Sequence, residues 1–357
     1  MTAIARAEAT WLRYRLDTPV GGSGVAAVDV VIVDLEDADG ASGLGFSYVL
    51  GGGGHVVLAA AREQLDRFVR AQPRVPPSAL WRRIAGSFNR TGLGPNLLAL
   101  AAIDVAAWDL QARSQGVPLG VAMGGVPRAV PVYGSGGFNT TQRPEEAAAA
   151  AAEQVSRGLT AVKPRVAGVR RDAEVLSAVR RAVPESVQLM ADANEKCDAV
   201  SARWLLGAAR DLGVLFVEEP LPAAALEGYR ALAGAGAAVA TGEHLQGRDA
   251  FLPYVAEHLA SVVQPDLAMA GGLTAVADVA RLAEAFGVAV SPHFLPGLFV
   301  HVAAACPAVT WLEEFPLLEP LFEGWPVAAA DGTLAPADRP GHGLVLDAAA
   351  RARFAAG

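Results

Sequence analysis

The chain has 357 residues, 52% of them hydrophobic, and a formal net charge of −8 at pH 7. This composition suffices for a large core and about two domains, while the negative charge argues against nucleic acid or an anionic membrane surface as a partner. With two cysteines, no apolar run of about 18 residues and no signal-peptide pattern, we expect no disulfide framework and no membrane span, and a cytoplasmic location.

The first third of the chain predicts a mixture of strands and helices. Val25–Leu35 is β-branched and apolar, and the turn residues Asp37–Gly40 lead to a hairpin partner at Ser42–Leu50. The clearest helical pattern is Asn96–Ser114. Residues 1–125 are therefore predicted to form an α+β domain of their own.

From Val130 onward, short apolar runs alternate with helical segments at a nearly constant interval. The eight runs end at Tyr133, Lys163, Asp192, Glu218, Glu243, Asp266, His293 and Glu313. Eight parallel strands joined by helices close a barrel, and such barrels carry their chemistry at the C-terminal strand ends. We predict a (β/α)7β-type TIM barrel over residues 126–325, with a segment at 326–357 that packs back on the first domain.

Three carboxylates, Asp192, Glu218 and Glu243, end three consecutive predicted strands. A single acid at a strand end is usually solvated, but three that converge would repel one another unless a cation lies between them. Oxygen-only ligands favour a hard ion such as Mg²⁺. The pattern predicts a magnesium site made by these three residues.

Two further pairs carry charge at the same end of the barrel. Lys163 and Arg165 share one strand face, where they would either line the barrel as salt bridges or hold a substrate carboxylate beside the metal. Asp266 and His293 end adjacent strands, and a carboxylate bonded to an imidazole makes a general base or acid, although a single histidine is often structural.

Glu313 and Glu314 end the eighth strand on opposite faces, so only one of them can face inward. A protonated glutamic acid in that position could donate a hydrogen bond to a developing oxyanion.

Short motifs stand in order along nearly the whole chain. They are Leu100–Leu110 followed by Gly124-Gly125, Val162-Lys-Pro-Arg165, Met190-Ala-Asp-Ala-Asn194, Val217-Glu-Glu-Pro220, Thr241-Gly-Glu243, Gln264-Pro-Asp266, Ser291-Pro-His293 and Trp311-Leu-Glu313. Each motif is weak alone, but the ordered set resembles the enolase superfamily, in its mandelate racemase subgroup.

The resemblance implies abstraction of the proton α to a carboxylate, with Mg²⁺ held by Asp192, Glu218 and Glu243. It also implies a small-molecule carboxylate substrate and assembly into a homo-oligomer, a dimer or an octamer.

The resemblance also assigns roles to the remaining charged residues. Lys163 would contact the substrate carboxylate or the oxygen on the metal side, and His293 with Asp266 would be the base or acid on one face of the substrate. Glu313 rather than Glu314 would be the electrophilic acid.

One position departs from the family pattern. Arg165 stands where the family has a second lysine, the base on the other face, and arginine stays protonated in proteins. A racemase needs a proton carrier on each face, whereas a dehydratase can work with His293 alone. We therefore predict dehydration of a sugar acid or other hydroxy acid to a 2-keto acid. The alternatives are a racemase or epimerase of an α-substituted acid, and a binding protein without turnover.

Substrate specificity in this family comes from loops of the capping domain. Here these loops would be Thr18–Gly24 and Gly45–His55, both rich in glycine and expected to be mobile lids. Tyr48, His55 and Asn194 are the candidate substrate contacts. The loops offer few polar groups for a sugar acid with many hydroxyls, which favours a smaller or less hydroxylated acid.

Overall fold

A computed structural model describes residues 2–20 and 24–356, without the side chains of residues 18–20. The first domain combines an antiparallel sheet, in the order β1-β2-β3, with helices that cover one face of it. Its elements are β1 (Ile4–Val20), β2 (Val25–Asp37), β3 (Ser42–Leu50), α1 (Gly54–Phe68), α2 (Pro77–Ala85), α3 (Pro95–Gln115) and α4 (Leu119–Ala122). The predicted hairpin is β2 with β3, whose register runs from Glu36 opposite Ser42 to Val28 opposite Leu50.

Helix α3 is the centre of this domain and packs directly on β3. A side chain added at Gly45 would place its Cβ 2.1 Å from the carbonyl oxygen of Ala102, so glycine is needed for the close approach of helix and strand. The expectation of a mobile lid over Gly45–His55 is therefore wrong for residues 45–50, which are strand. The other expected lid, Thr18–Gly24, lies mostly outside the described residues. Although α3 has 21 residues, no described helix is both long and apolar enough to cross a membrane.

The second domain is a barrel of eight parallel strands. Its elements are β4 (Val130–Gly134), α5 (Pro144–Ser156), β5 (Ala161–Val162), α6 (Arg171–Ala182), β6 (Gln188–Asp192), α7 (Ala199–Asp211), β7 (Val214–Glu218), α8 (Leu226–Leu232), β8 (Val239–Thr241), α9 (Leu252–Ala256), β9 (Val262–Val263), α10 (Leu267–Ala270), α11 (Leu273–Ala285), β10 (Ala289–Val290), α12 (Pro296–Ala305) and β11 (Leu312–Glu314). Strands β4 to β10 pair in sequence order and β11 pairs with β4. A parallel bridge between Val290 and Val309 brings β10 to the approach of β11 and completes the ring.

Several strands are shorter than the sequence pattern suggests. Glu243, Asp266 and His293 lie just beyond strands β8, β9 and β10 rather than at their last residues. Pro265 and Pro292 have no N–H for the ladder, which interrupts regular pairing before the site residues. Pairing then resumes as a bridge between Asp266 and His293, so both side chains still stand at the C-terminal end of the barrel.

Polar contacts join the first domain to the barrel. Asp104 on α3 accepts hydrogen bonds from the backbone N (2.8 Å) and Oγ1 (2.6 Å) of Thr274. The indole N–H of Trp108 donates to the same Oγ1 at 2.9 Å. Burial raises the pKa of Asp104 to about 7. These contacts fix the cap over the C-terminal strand ends.

The C-terminal segment contacts both domains. It contains β12 (Phe322–Glu323), β13 (Thr333–Leu334), β14 (Val345–Leu346) and α13 (Ala348–Phe354). Strand β13 pairs antiparallel with β4 of the barrel. On the cap side, the backbone N of His342 donates to Asp109 Oδ1 at 2.9 Å and its Nε2 to the carbonyl oxygen of Leu44 at 2.8 Å.

Candidate active site

A cavity of about 320 Å³ lies between the cap and the C-terminal ends of the barrel strands. The residues that line it are Val25, Tyr48, Val49, Leu50 and Leu98 from the cap, with Arg165, Asn194, Glu243, His244, Asp266, Ala268, Met269, His293 and Phe294 from the barrel. Most of the predicted site residues therefore meet around one space.

The three predicted metal ligands are buried at neighbouring strand ends. Asp192 and Glu218 are the last residues of the paired strands β6 and β7, and Glu243 follows β8. Burial raises the pKa of both Glu218 and Glu243, and the charge of Asp192 raises each further. Asp192 thus lies close enough to Glu218 and Glu243 to destabilise their ionised forms when no cation lies between the three residues.

The oxygens of these residues fit a hard divalent cation. Glu218 Oε1 is buried and has no hydrogen-bond partner among the described residues, while Oε2 accepts from Gln264 Nε2 at 2.7 Å. Asp192 Oδ2 and Glu243 Oε2 are likewise buried without a hydrogen bond from the described part of the chain, although each has a cationic neighbour. Buried carboxylate oxygens with unused acceptor capacity are the donor set that Mg²⁺ takes.

Lys163 lies beneath the cavity rather than in its wall. Its Nζ forms ion pairs with Glu218, with Glu313 Oε1 at 2.9 Å and with Asp192 Oδ2 at 3.9 Å, and the side chain is fully buried. Burial alone would lower the pKa of Lys163, but Glu218 and Glu313 outweigh it and raise the pKa well above its ordinary value. Lys163 is a fixed cation at the base of the site.

Arg165 reaches the cavity itself. Its Nη1 lies 2.6 Å from Asp192 Oδ2, and the side chain is 8% exposed. Burial alone would lower its pKa, but Asp192 and the other carboxylates of the site raise it above an already high value. Arg165 is therefore a fixed cation that does not accept a proton.

Asp266 and His293 form a dyad on the opposite wall. His293 Nδ1 lies 2.9 Å from Asp266 Oδ2, and His293 Nε2 lies 3.0 Å from Glu243 Oε2. Burial alone would lower the pKa of His293, but Glu243 and the hydrogen bond to Asp266 outweigh it and raise the pKa to about 10. The imidazole is held by one nitrogen and presents the other to the metal-ligand side of the cavity.

The side chains of Glu313 and Glu314 point to opposite faces of strand β11, as strand alternation requires. Glu313 is fully buried in the site, and its Oε2 accepts from the backbone N of Phe294 at 3.0 Å, whereas Glu314 turns outward to Arg157. Burial alone would raise the pKa of Glu313, but Lys163 and His293 lower it to about 2. In this arrangement Glu313 is an ionised acceptor, not the protonated donor that we expected from the sequence.

Two of the three candidate substrate contacts line the cavity, but their polar groups are already engaged. The Tyr48 hydroxyl donates to Asp266 Oδ2. Asn194 has a φ of 43°, which asparagine tolerates, and donates from its backbone N to Asp192 Oδ1 at 2.8 Å and from Nδ2 to Glu243 Oε1 at 2.9 Å. Both residues position charged groups of the site.

The third candidate, His55, does not reach the cavity. It is exposed in the first turn of α1, with its ring 6.1 Å from that of Trp11. Helix α1 begins at Gly54, whose backbone N donates to Asp29 Oδ2 at 2.9 Å, and this start directs the next side chain to solvent. We therefore remove His55 from the candidate site.

The site contains further polar residues that were not predicted from the sequence. His244 lines the cavity with Nδ1 2.6 Å from Glu219 Oε2, and this hydrogen bond raises the pKa of His244 to about 9. Glu219 follows Glu218 but has a φ of 36°, so strand alternation does not give its direction. Gln264 stands in the Gln-Pro-Asp motif, which was the available signal for it.

The fold and site together define a capped barrel enzyme with a carboxylate-rich centre. Residues 4–124 match the family described as mandelate racemase / muconate lactonizing enzyme, N-terminal domain, and residues 146–350 match the family described as enolase C-terminal domain-like. The chain belongs to the enolase superfamily, in its mandelate racemase subgroup.

Relatives are similar over nearly the full length of the chain. An L-talarate/galactarate dehydratase of Salmonella typhimurium is 31% identical over 332 residues, 91% of this chain and 82% of the relative. A 3,6-anhydro-alpha-L-galactonate cycloisomerase of Streptomyces coelicolor is 30% identical over 333 residues, 92% of each chain.

A solved structure gives the same family and adds the metal. The L-talarate dehydratase from Polaromonas sp. JS666, complexed with Mg and L-glucarate, superposes with a TM-score of 0.93 at 29% identity, covering 100% of this chain and 98% of that one. The predicted family, fold class and magnesium-dependent type of enzyme are confirmed.

Proposed function

We propose that the protein is a Mg²⁺-dependent hydro-lyase that converts a hydroxy acid to a 2-keto acid. The observation that carries this proposal is the asymmetry of the cavity. One wall offers the His293–Asp266 dyad, whereas the other offers Arg165, whose pKa is raised by Asp192 and which cannot serve as a base.

Asp192, Glu218 and Glu243 would hold the metal ion. Bound Mg²⁺ supplies positive charge that stabilises the anion developing on the substrate carboxylate and offsets the Glu243 charge that raises the pKa of His293. Lys163, beneath the cavity, and Arg165, in its wall, would add fixed positive charge on the side of the same carboxylate.

His293 would carry the proton through both steps. Its Nε2 removes the α-proton, and the electron pair of the broken C–H bond is delocalised onto the substrate carboxylate. In the second step this pair forms the double bond to the β-carbon as the β C–O bond breaks. The imidazolium returns its proton to the departing hydroxyl, which leaves as water, and the enol product becomes a 2-keto acid. Asp266 stabilises the imidazolium throughout.

The two domains and the C-terminal segment would have different roles. Residues 1–125 close the cavity from above and set specificity, residues 126–325 carry the charged groups, and residues 326–357 tie the two together. The contacts of Asp104 with Thr274 and of His342 with Asp109 support this division.

A panel of hydroxy acids in D₂O with Mg²⁺ tests the proposed function. We expect a keto product that reacts with semicarbazide, formed from one configuration at the α-carbon only. Deuterium incorporation that gives both epimers without a keto product would instead establish an isomerase. If no acid showed Mg²⁺-dependent α-proton exchange, the protein would not be an enzyme of this type.

We further propose that the protein works in the cytoplasm as a homo-oligomer. Both cysteines, Cys197 and Cys306, are buried and unbonded, which suits a reducing compartment. Light scattering on the purified protein tests the assembly, and a monomer at micromolar concentration would contradict it.

A further inference from the structure

The cap covers the cavity with an apolar surface, here named the cap wall. Its members are Val25, Val49, Leu50 and Leu98. The remaining cap residue at the cavity, Tyr48, is buried and directs its hydroxyl to Asp266. Among the described residues, the polar groups available to a substrate therefore come from the barrel side, where the reacting end of the substrate would lie.

Each cationic side chain that lines the cavity lies beside a carboxylate, including His293, which is 2.9 Å from Asp266 and 3.0 Å from Glu243. Arg165 lies 2.6 Å from Asp192, and His244 lies 2.6 Å from Glu219. The segment Thr18–Gly24, which leads to Val25, carries no charged residue in its sequence. Arg165 Nε has no hydrogen-bond partner among the described residues, but Arg165 belongs to the barrel side. The described cap residues of the lining offer no cation to a second carboxylate at the far end of a substrate.

The cap wall has opposite effects on the binding of apolar groups and of polar groups. A carboxylate or hydroxyl that loses water there gains no hydrogen bond in return, which opposes binding. Each methylene that leaves water for the cap wall improves binding by about fourfold. The cap wall thus selects for an apolar tail.

We infer that the substrate is a monocarboxylic 2,3-dihydroxy acid whose chain beyond the third carbon is apolar, rather than a dicarboxylic sugar acid. This inference rests on the proposed function, because it assigns the carboxylate and both reacting carbons to the barrel side. The reaction would convert R–CH(OH)–CH(OH)–COO⁻ to R–CH₂–CO–COO⁻ and water. It separates this chain from its relative crystallised with L-glucarate, which has a carboxylate at each end.

The test compares 2,3-dihydroxybutanoate, 2,3-dihydroxyhexanoate, gluconate and glucarate with the Mg²⁺-loaded enzyme. We expect kcat/KM to rise about fourfold per added methylene and to be at least 100-fold higher for the hexanoate than for glucarate. Preference for glucarate or gluconate, or no dependence on chain length, would overturn the inference.

A binding measurement separates this inference from the proposed function. Calorimetry of the His293→Asn variant with Mg²⁺ ranks the same four acids without turnover. A ranking that favours the hexanoate while the native enzyme forms no keto acid would refute the dehydration and keep the substrate class. A ranking that favours glucarate would refute the substrate class, whatever the native enzyme does.

A charge placed in the cap wall gives a second test. Leu50 is 39% exposed, so Leu50→Arg leaves the fold intact and adds a cation facing the cavity. We expect affinity for the hexanoate to fall about tenfold and affinity for glucarate to rise. Leu50→Met keeps the surface apolar, and Val126→Arg adds the same charge at a residue that is 78% exposed and outside the cavity wall; neither should change the ranking. An unchanged ranking in Leu50→Arg would count against the cap wall as a determinant.

Discussion

Asp266 has four hydrogen-bonding partners, and together they fix the direction of His293. Its Oδ1 accepts from the backbone N of Ala268 and of Met269, and its Oδ2 contacts the Tyr48 hydroxyl and His293 Nδ1. A carboxylate held in this way cannot rotate away from the imidazole. The hydrogen bond to Asp266 therefore keeps a proton on His293 Nδ1 and directs Nε2 toward Glu243, on the side of the cavity where the metal and the substrate would lie.

Replacement of His293 by asparagine tests its role as the base. We expect His293→Asn to lower kcat by about 10²- to 10⁴-fold, the usual contribution of a general base, and to leave Mg²⁺ affinity nearly unchanged. Turnover and calorimetry measure the two effects. His55→Asn is the matched control, because His55 is exposed and outside the cavity wall. Full activity in His293→Asn would remove His293 from the mechanism, and a large loss in His55→Asn would return His55 to the site.

At the level of elements, one hydroxyl takes part in two of the hydrogen bonds between α3 and α11. Thr274 Oγ1 donates to Asp104 Oδ1 and accepts from Trp108 Nε1, and all three side chains belong to the interface of cap and barrel. A buried acceptor that loses its donor costs more than the hydrogen bond itself contributes.

We expect Thr274→Val to lower the free energy of unfolding by about 1–3 kcal/mol, because the isosteric side chain leaves Asp104 and Trp108 without this partner. Thr274→Ser keeps the hydroxyl and should lose less. Urea unfolding of both variants measures the difference. Equal stability of the two variants would show that the hydroxyl does not hold the cap.

Helix α12 carries a histidine that should make stability depend on pH. His301 is buried, its Nδ1 accepts from the backbone N of Gly120, and burial together with His342 lowers its pKa to about 4. In the unfolded chain its pKa is about 6.5. The folded state favours the neutral ring, so the stability that depends on neutral His301 is fully present above pH 6.5. It is lost as the pH falls toward 4.

The total effect of His301 is about 3 kcal/mol. We therefore expect unfolding midpoints in urea to fall from pH 6.5 to pH 4.5 more steeply in the native protein than in His301→Asn. The asparagine keeps an acceptor for Gly120 but does not titrate. Parallel slopes in the two proteins would exclude His301 as a source of the pH dependence.

For the molecule as a whole, the features that could be predicted from the sequence are those that regular strand and helix geometry determines. The recurrence of polar strand ends predicted the barrel, and the convergence of Asp192, Glu218 and Glu243 followed from parallel strands alone. Lys163 and Arg165 share a strand face in the sequence, yet one lies beneath the cavity and the other in its wall. This difference depends on side-chain packing, which spacing does not encode.

The features that the sequence missed depend on irregular backbone and on packing between domains. Glu219 has a positive φ that ends strand alternation. Its pairing with His244 therefore could not be predicted from the two-residue alternation of side chains along a strand. Gly45 was expected to loosen a lid, but it allows α3 to touch β3. The ionised state of Glu313 follows from its ion pair with Lys163, which joins β11 to the end of β5, the strand on the other side of β4.

Magnesium should stabilise the whole fold, because the metal-free site holds carboxylates that oppose one another. Burial and mutual repulsion raise the pKa of Glu218 and of Glu243, and a bound cation relieves both effects. At a concentration of Mg²⁺ near 100 times its Kd, linkage predicts about 2.7 kcal/mol of stabilisation, or a rise in Tm of about 4 °C that EDTA reverses. Glu218→Gln should lose most of this rise, whereas Glu314→Gln, at a carboxylate that turns outward to Arg157, should keep it. An equal rise in Glu218→Gln would show that the ion binds elsewhere and would remove Glu218 from the ligand set.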